Sequence, residues 1–433
     1  MNAYPGLGNK KMNLNNERPS GLARGHGCAA LAASAVGALC VLEGRAFEMR
    51  DLWAFSAGPV VLKPRFTAAA GYSDNVYYLP SDSPLEELGL IKSRDDVNFV
   101  LSPGLIARLG RPEATEWVEF SYRFDQILYV ENTDSDSSNH YFTLGAGVAG
   151  SRLEYDCNNS FQLLNSILTG YEATLGGVAL PSGNVERNNF NLNHNLAYAL
   201  TAKSRIRVEG SLSVLDYTGS DLQQVRYLDS MDWRLRAGYD YSLSQKLRLA
   251  GLFHYGQQIQ SSDTPNRPDP PQSDIWGGSV TATGNFTSKL SGNVRVGYEY
   301  RDFEDAESDG YPLVGLGLTQ RFTEKTSLSL NYNRSGGVSS TSGAGTVTDS
   351  VGLGVEQILG TNRPWFLNAS LRYIHNDYVD QDQTLENFRV TLGAAYQLRK
   401  WASLFINYTF ELGERTTFDY DVNQVNLGLS LGL

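Results

Sequence analysis

Apolar and polar residues alternate along much of this chain with a period of two, which is typical of β-strands because successive side chains point to opposite faces. In the last segment every second residue is apolar: Val425, Leu427, Leu429, Leu431 and Leu433. The same alternation runs through WVEFSYRFD (117–125), MDWRLRAGYDY (231–241) and LSGNVRVGYEYR (290–301). Each segment has one apolar and one polar face, so the pattern predicts amphipathic strands.

Short polar turns separate these segments at a regular spacing. We identify eight of them, at 110–115, 155–160, 201–204, 243–246, 287–290, 323–326, 360–363 and 398–401. Longer loops rich in Asp, Ser, Asn and Gly lie between successive turns. Eight short turns and nine long loops predict eighteen strands, the first near Arg65–Tyr72 and the last at Val422–Leu433. An even number of strands brings both ends of the sheet to the same side.

Two architectures use strands of this kind, a soluble sandwich and a transmembrane barrel. Short turns on one side and long loops on the other are typical of outer-membrane barrels. The last strand has neither charge nor proline to protect a free edge, whereas a closed barrel has no edge to protect. The pattern therefore predicts the all-β class, as a closed antiparallel transmembrane β-barrel of about 18 strands with short periplasmic turns and long extracellular loops.

Composition is compatible with this fold. The 433 residues are 41% hydrophobic, which excludes a bundle of membrane helices but suits a barrel, in which only alternate residues face lipid. A net charge of −11 argues against a nucleic-acid partner. Tyrosines concentrate near the ends of the long loops, and we interpret them as an aromatic girdle at the membrane interface. These residues are Tyr72, Tyr77, Tyr129, Tyr141, Tyr217, Tyr300, Tyr311 and Tyr373.

The N-terminal segment has the features of a secretory signal peptide. Four basic residues, from Lys10 to Arg24, precede an apolar run, Cys28–Leu42, that is too short to span a bilayer comfortably as a helix. Small residues follow, and we predict cleavage after Ala46. The alternative is a disordered leader that ends in a buried helix.

These features predict three segments. Residues 1–46 form the cleaved signal peptide, residues 47–61 a short periplasmic segment, and residues 62–433 the barrel. Cleavage leaves Cys157 as the only cysteine, so no intramolecular disulfide is expected. A signal peptide followed by a barrel predicts the outer membrane of a Gram-negative-type bacterium.

The end of the chain resembles the C-terminal motif by which the barrel assembly machinery recognises outer-membrane proteins. The residues that carry the resemblance are Asn426, Gly428, Leu431 and Leu433. Leu433 departs from the motif, which commonly ends in an aromatic residue, but it keeps the apolar character. The resemblance implies that this machinery is an assembly partner.

The segment GPVVLKPRFTAAAGYSDNVYY (Gly58–Tyr78) resembles the opening of the putative β-barrel porin 2 family. It contains the Gly-Pro pair, the apolar-basic-Pro run and the Gly-Tyr-x-x-Asn-Val-aromatic element of that family. LSPGL (Leu101–Leu105) fits the second strand of the same family. The resemblance implies an outer-membrane barrel, and several members are associated with exopolysaccharide or capsule secretion.

Arginines fall on the polar face of the predicted strands, where they would line the lumen. By the parity of the alternation, the pore-lining arginines are Arg65, Arg108, Arg123, Arg205, Arg207, Arg234, Arg236, Arg248, Arg295, Arg372 and Arg389. Acidic residues on the same face are fewer: Glu119, Asp125, Glu209, Asp232, Asp240, Glu299 and Glu411. The long loops carry most of the negative charge, as in ENTDSDSS (131–138) and DFEDAESDGY (302–311).

This distribution of charge has two interpretations. Arginines in a channel with low-dielectric walls can favour anionic solutes such as acidic polysaccharide. Alternatively, they pair with neighbouring carboxylates and stabilise the wall, while the acidic loops hold divalent cations and lipopolysaccharide at the cell surface.

The sequence gives no catalytic centre by its motifs. His-Glu-x-x-His and the Cys/His spacings of metal sites are absent, and the one Gly-x-Ser-x-Gly match, at residues 428–432, lies within the alternating last strand rather than at a turn from a strand into a helix. His140 and His194 fall on the apolar face of their strands, His254 on the lumen face, and His375 near a loop. We therefore expect no catalytic residue, no metal and no cofactor.

The favoured hypothesis is an outer-membrane porin that acts as a passive conduit for extracellular or capsular polysaccharide during export. The alternatives are a general or small-anion diffusion porin, and a surface structural or adhesion barrel whose loops plug the lumen. Conductance separates a plugged barrel from an open one, and loss of surface polysaccharide separates the first two. The expected partners are outer-membrane lipid, lipopolysaccharide, the barrel assembly machinery and, by the resemblance, a polysaccharide export machinery.

Overall fold

The structure is a computed structural model, and its contacts divide the chain into residues 1–48 and 49–433. The residues that it describes all belong to the second unit. The predicted signal peptide lies outside them, and so do Gly58 and Leu433. The described residues are 54–57, 59–83, 86–87, 91–110, 115–167, 184–218, 227–262, 269–270, 272–304, 308–339, 343–361, 363–378, 383–415 and 418–432.

Almost all of the described chain is β-strand. Among the described residues no helix is long and apolar enough to cross a bilayer. The strands are β1 (Phe55–Ala57), β2 (Val60–Ser73), β3 (Asp96–Leu109), β4 (Glu116–Tyr129), β5 (Ser137–Ala149), β6 (Leu153–Ser166), β7 (Val185–Ala199), β8 (Ser204–Tyr217), β9 (Asp229–Ser242), β10 (Leu247–Ser261), β11 (Ser273–Asn285), β12 (Leu290–Phe303), β13 (Asp309–Thr323), β14 (Thr326–Val338), β15 (Gly345–Leu359), β16 (Trp365–Tyr378), β17 (Gln383–Arg399), β18 (Ala402–Arg415) and β19 (Phe418–Leu431). A single turn of 3-10 helix, Thr133–Ser135, follows β4.

The strands form one closed antiparallel sheet. Each strand from β2 to β18 pairs with the next strand along the chain, and β19 pairs with β2. The described part of the chain therefore contains an eighteen-stranded barrel, β2 to β19, which confirms the predicted fold class.

The seam that closes the barrel is short. It comprises eight residue pairs between β19 and β2, whereas β18 and β19 share fourteen. The start of β2 therefore extends beyond the last pair of the seam at Phe66. β1 folds back on Val60–Leu62, and because β3 pairs with the whole of β2, β1 lies on the edge that β19 leaves unpaired.

Large apolar side chains cover the outer face. Phe253, Val296 and Leu427 are 58%, 56% and 57% exposed, as expected where lipid replaces a protein core. The barrel strands, β2 to β19, have 13 to 17 residues. A 14-residue strand rises roughly 35 Å at the usual tilt, which exceeds the roughly 25 Å of the apolar band, so the strands continue beyond the membrane.

The predicted turn at 155–160 is wrong. These residues lie inside β6, and the chain turns at 150–152 instead. Asp156, Asn158 and Ser160 are types common in turns, but here they face the lumen at alternate positions of a strand. The other seven predicted turns overlap connections between strands.

The first barrel strand begins at Val60, two residues before the predicted start of the barrel at residue 62. The connections at the long-loop end differ in length. Those after β2, β6, β8 and β10 have 11 to 22 residues, the one after β4 has seven, and those after β12, β14, β16 and β18 have two to six. The long connections at this end therefore all precede β11.

The interpretation of eight tyrosines as a girdle is wrong for five of them. Tyr141, Tyr217 and Tyr311 lie on the inner face, while Tyr77 is in a buried loop against which Tyr129 packs. Closeness to a loop does not decide which face a side chain occupies. Tyr72, Tyr300 and Tyr373 lie on the outer face, as predicted. The outer aromatic residues include two pairs at opposite ends of the strands, Trp276–Tyr300 and Trp365–Tyr396, with ring centroids 5.2 and 4.8 Å apart.

Candidate functional site

Strand register shows which side chains line the lumen, because directly opposed residues on neighbouring strands share a face. Arg65 on β2 is opposite Gly104 on β3, which is opposite Arg123 on β4. Arg372 on β16 is opposite Arg389 on β17. By this criterion all eleven arginines of the sequence analysis lie on the inner face. Their role in transport stays a prediction.

A cavity of about 850 Å³ lies against the inner wall of β8 to β14. Small residues on β11 and β13 make the room for it, and the side chain of Arg295 lies over Gly315, which has none of its own. Three carboxylates line the cavity, namely Glu209, Asp240 and Glu299. The structure brings together here Arg205, Arg207, Arg234, Arg236, Arg248 and Arg295.

Half of these arginines are paired with carboxylates. Arg205 Nε is 2.7 Å from Asp240 Oδ2, and Arg207 Nη2 is 3.3 Å from Asp240 Oδ1. Arg234 Nε donates to Asp232 Oδ1 over 3.1 Å. Charge-assisted bonds of this kind fix the side chains against the wall. These three arginines fit the wall-stabilising interpretation.

Arginines outside this cavity show the same pairing. Arg108 forms an ion pair with Glu119, which lies opposite it across β3 and β4. Arg389 Nη2 is 2.6 Å from Glu411 Oε2. Arg123 is 3.1 Å from a carboxylate oxygen of Asp125 and also lies over the ring of Tyr141, 4.2 Å from its centroid.

The other arginines of the cavity have no such partner. Arg236, Arg248 and Arg295 have no carboxylate within ion-pair distance among the described residues. Arg236 donates to Ser211 Oγ over 3.2 Å, and Arg295 donates to Asn333 Oδ1 over 3.1 Å. Their charges are therefore available to an anion in the lumen. Elsewhere in the described barrel, Arg65 and Arg372 also lack a carboxylate partner.

A buried carboxylate, Glu299, holds several cationic and polar groups against the wall. Its Oε2 lies 3.0 Å from His254 Nε2 and 3.3 Å from Arg234 Nη1. Its Oε1 lies 3.3 Å from Arg301 Nη2 and accepts a short hydrogen bond from Tyr311. Both Glu299 and Arg301 are 2% exposed. The cluster joins β9, β10, β12 and β13.

Sequence analysis missed Arg301 as a lumen residue. It shares the parity of Arg295 and Glu299, and that parity was the signal that would have identified it. Arg301 lies near the end of β12, next to the acidic loop, and was therefore not assigned to a face of the strand. In the structure it donates to Tyr311 Oη over 3.0 Å and to Gln258 Oε1 over 2.8 Å.

The other histidines lie apart from this cluster. His140 and His194 are on the outer face, with Nδ1 3.0 and 2.8 Å from the hydroxyls of Tyr122 and Tyr155. His375 Nε2 is 3.1 Å from Asp377 Oδ1. In the part of the chain that the structure describes, no three His, Cys, Asp or Glu residues are placed to hold a metal ion.

Residues Asn75–Leu79 form a buried segment at the long-loop end, which we call the loop cap. The Asn75 amide closes it, because Nδ2 donates to Leu79 O over 2.8 Å and Leu79 N donates to Asn75 Oδ1 over 2.9 Å. Val76, Tyr77 and Leu79 pack with Ile91 in an apolar cluster. The asparagine of the family-like motif therefore organises this turn.

Tyr78 anchors the loop cap to the inner wall. Its φ of 56° lies in the left-handed region, which a bulky residue adopts only when its surroundings impose it. Its ring packs edge-on against Tyr420 at 5.5 Å, and Gln424 Nε2 donates to its hydroxyl over 3.2 Å. Burial raises the pKa of Tyr78, so the phenol stays neutral. The loop cap therefore narrows the mouth of the barrel.

Replacing Val76–Leu79 by Gly-Ser-Gly-Ser is expected to raise single-channel conductance. The replacement removes the buried side chains that hold the loop cap against β19. Planar-bilayer recordings measure the change, and Tyr72→Phe, which removes only an outer hydroxyl bonded to Asp95, serves as the control. Equal conductance in the native chain and the replacement would show that the cap does not restrict the pore.

Two of the predicted assembly residues lie at the closing seam, on its inner face. Asn426 is opposite Gly71 on β2, and a side chain at Gly71 would collide with the Asn426 amide. Gly428 lies beneath the ring of Phe405. Leu431 forms the last residue pair of the seam, and Leu433 lies outside the described residues. Recognition of these residues by the assembly machinery stays a prediction.

Gly428→Ala is expected to lower the yield of folded barrel. A Cβ there would lie 2.5 Å from the Phe405 ring and 2.6 Å from the carbonyl oxygen of Ala68, so the seam must shift. Gly210→Ala is the matched control, because nothing lies within 4 Å of its Cβ position. Refolding into detergent micelles, followed by heat-modifiable gel mobility, measures the folded fraction. Equal yields for both variants would contradict the role of Gly428.

The closed barrel, with apolar side chains outside and charged side chains inside, defines an outer-membrane β-barrel protein that is porin-like. Residues 272–432 match the model of the family described as putative beta-barrel porin 2. This match confirms the resemblance to that family, although it covers the second part of the chain rather than the Gly58–Tyr78 motif. No curated protein matches the sequence.

Several solved outer-membrane barrels are similar in fold. A bacterial polysaccharide outer membrane secretin has 9% identity and a TM-score of 0.36, with 85% of this chain and 98% of that chain covered. OpdQ from Pseudomonas aeruginosa has 11% identity and a TM-score of 0.44, covering 86% and 97%. OpdK from Pseudomonas aeruginosa has 10% identity and a TM-score of 0.42, covering 86% and 98%. Likenesses at this level concern the fold and not the function.

Proposed function

We propose that this barrel is a passive conduit for an acidic extracellular or capsular polysaccharide during export across the outer membrane. The observation that carries the proposal is the set of unpaired arginines, Arg236, Arg248 and Arg295, beside one lumen cavity. A wall of low dielectric constant strengthens the attraction between such charges and an anion. Several weak anion-binding sites, one after another along the pore, let a polymer enter and leave without an energy source.

The family resemblance supports a polysaccharide as the cargo, since several members are associated with exopolysaccharide or capsule secretion. We expect this function to need no catalytic residue, metal or cofactor. We expect lipopolysaccharide, the barrel assembly machinery and a polysaccharide export machinery as partners. If the arginines serve small anions instead, the protein is a diffusion porin.

One observation favours a second candidate, a surface structural or adhesion barrel with a closed lumen. The loop cap buries apolar side chains inside the mouth, where an open conduit needs space. In this alternative the arginines only stabilise the wall. The conductance of the native chain separates the two candidates, because a closed barrel shows no stable open current.

Deletion of the gene is expected to remove most acidic polysaccharide from the cell surface, as measured by a uronic acid assay. The native chain and the control Arg334→Gln should restore it, because Arg334 pairs with Asp349 through a 2.7 Å bond. The triple variant Arg236→Gln, Arg248→Gln, Arg295→Gln should not. Unchanged surface polysaccharide in the deletion strain would overturn the export proposal and leave a diffusion porin.

A further inference from the structure

A contiguous part of the inner wall between β6 and β8 carries uncharged amide and hydroxyl groups instead of arginines. We call it the amide platform. Strand register places its members side by side on the lumen face. They are Asn158, Ser160 and Gln162 on β6, Asn189, Asn191 and Asn193 on β7, and Ser211 and Ser213 on β8.

The requirement for a polar, water-facing lumen wall does not by itself explain why so many of these residues are asparagines. Asparagine is depleted in strands, whereas threonine offers a polar side chain with a much better strand propensity. On β7, asparagines nevertheless occupy alternate positions on one face, while Phe190 and Leu192 occupy the other. What an amide offers beyond a hydroxyl is a separate donor group and a separate acceptor, fixed side by side in one plane.

Internal hydrogen bonds hold one part of the platform in place. Asn191 Nδ2 donates to Asn189 Oδ1 over 2.8 Å. Ser213 Oγ donates to Asn191 Oδ1, also over 2.8 Å. The donor and the acceptor of Asn191 are therefore both engaged, and these side chains are ordered without any ligand.

The neighbouring row is open. Asn158 and Asn193 are directly opposite each other across β6 and β7, and both are exposed. Within the described residues, neither side chain makes a hydrogen bond to another protein group. Two adjacent amides thus present two donor groups and two acceptor oxygens to the lumen.

These groups select the chemistry of a ligand. A carboxylate or an inorganic anion only accepts hydrogen bonds, so it would leave the amide oxygens unsatisfied. A sugar hydroxyl both donates and accepts, and neighbouring hydroxyls on one ring can satisfy the two halves of an amide at once. The platform therefore suits the neutral, hydroxyl-rich face of a saccharide.

The platform is continuous with the unpaired arginines. Asn193 is opposite Ser211 on β8, and Ser211 Oγ accepts the hydrogen bond from Arg236 described above. Asn193 on β7 and Arg236 on β9 are separated by one strand, β8. Neighbouring strands lie about 4.8 Å apart, so these two strand spacings correspond to roughly 10 Å of wall. One short oligosaccharide can contact both regions.

We propose that the amide platform is a saccharide-binding site, with Asn158 and Asn193 bonding to sugar hydroxyls while the unpaired arginines contact acidic groups of the same chain. This inference rests on the proposed function and makes it more specific. The cargo class becomes a polysaccharide that presents free vicinal hydroxyls as well as acidic groups.

The test uses two oligosaccharides of equal length, neutral maltohexaose and acidic hexagalacturonate, added to the full-length protein in a planar bilayer. Maltohexaose should block the native current. In Asn158→Val, Asn193→Val the half-blocking concentration of maltohexaose should rise at least tenfold. Asn368→Val, an exposed inner-face asparagine on β16, is the matched control and should leave it unchanged. Isothermal titration of maltohexaose into detergent-solubilised protein gives the same comparison if the pore is shut.

The outcomes test the saccharide-binding role of the amide platform and the proposed export function separately. No interaction of maltohexaose with the native chain, or equal affinity in the double variant, overturns the platform. If hexagalacturonate still blocks the current by binding to the arginines, that result does not contradict the conduit proposal. Conversely, a platform-dependent block by maltohexaose together with unchanged surface polysaccharide in the deletion strain keeps the site and rejects the export function.

Discussion

Arg236→Gln, Arg248→Gln, Arg295→Gln is expected to lower the anion-to-cation permeability ratio of the pore about tenfold, the equivalent of roughly 1.4 kcal/mol. These arginines line one cavity and have no carboxylate partner among the described residues, so their removal takes three uncompensated positive charges from the lumen. The paired arginines contribute less, because neighbouring carboxylates offset their charge. Reversal potentials under a salt gradient measure the ratio.

Arg334→Gln is the matched control for this experiment. Arg334 carries the same charge but pairs with Asp349, away from the lumen cavity. Its replacement should leave the reversal potential unchanged. The difference between native and triple variant should also shrink in 1 M salt, where the Debye length falls to about 3 Å. An unchanged permeability ratio in the triple variant at low salt would leave only the wall-stabilising interpretation.

Glu299→Ala is expected to destabilise the barrel by about 3–5 kcal/mol, because removing one partner of a buried ion pair leaves the others uncompensated. The carboxylate contacts Arg301, Arg234, His254 and Tyr311, and it is almost fully buried. Its loss places the Arg301 guanidinium in the wall without a counter-charge. Urea unfolding of the refolded barrel, followed by tryptophan fluorescence, measures the change in the free energy of unfolding.

Two further variants test the cause of that loss. Glu119→Ala removes a partly exposed carboxylate from its pair with Arg108, and we expect about 1 kcal/mol or less. Glu299→Gln keeps the shape and an acceptor for Tyr311 but loses the charge, so it should fall between alanine and the native chain. If Glu299→Ala unfolds at the same urea concentration as the native chain, the cluster has no structural role.

Much of the fold could be predicted because a strand in a barrel has only two environments. Leu427 and Asn426 differ by one position and so face lipid and lumen, and that contrast is visible in any window of a few residues. The number of strands followed from the same pattern. The turn at 155–160 failed for a related reason, since Asp156 and Asn158 have turn-like identities but lumen-facing positions in β6.

The site was only half predictable. Parity identified lumen arginines such as Arg205 and Arg236, because the face depends on neighbours along the chain. Parity could not show which of them are neutralised. Arg205 pairs with Asp240, whereas Arg236 has no carboxylate partner. A pairing across 35 residues depends on the register of two strands. Parity likewise could not show that Asn158 and Asn193 form an open pair.

The sequence by itself determined that this chain forms amphipathic strands, how many there are, and which residues of each turn toward lipid or water, because these properties depend on alternation between adjacent positions. Only the tertiary structure decided which lumen charges are neutralised, which tyrosines fill the mouth instead of girdling the membrane, and where amides lie unpaired. The physical reason is that strand register brings distant segments together, and the strength of a charge or hydrogen-bonding group in the lumen depends on the neighbour that register supplies.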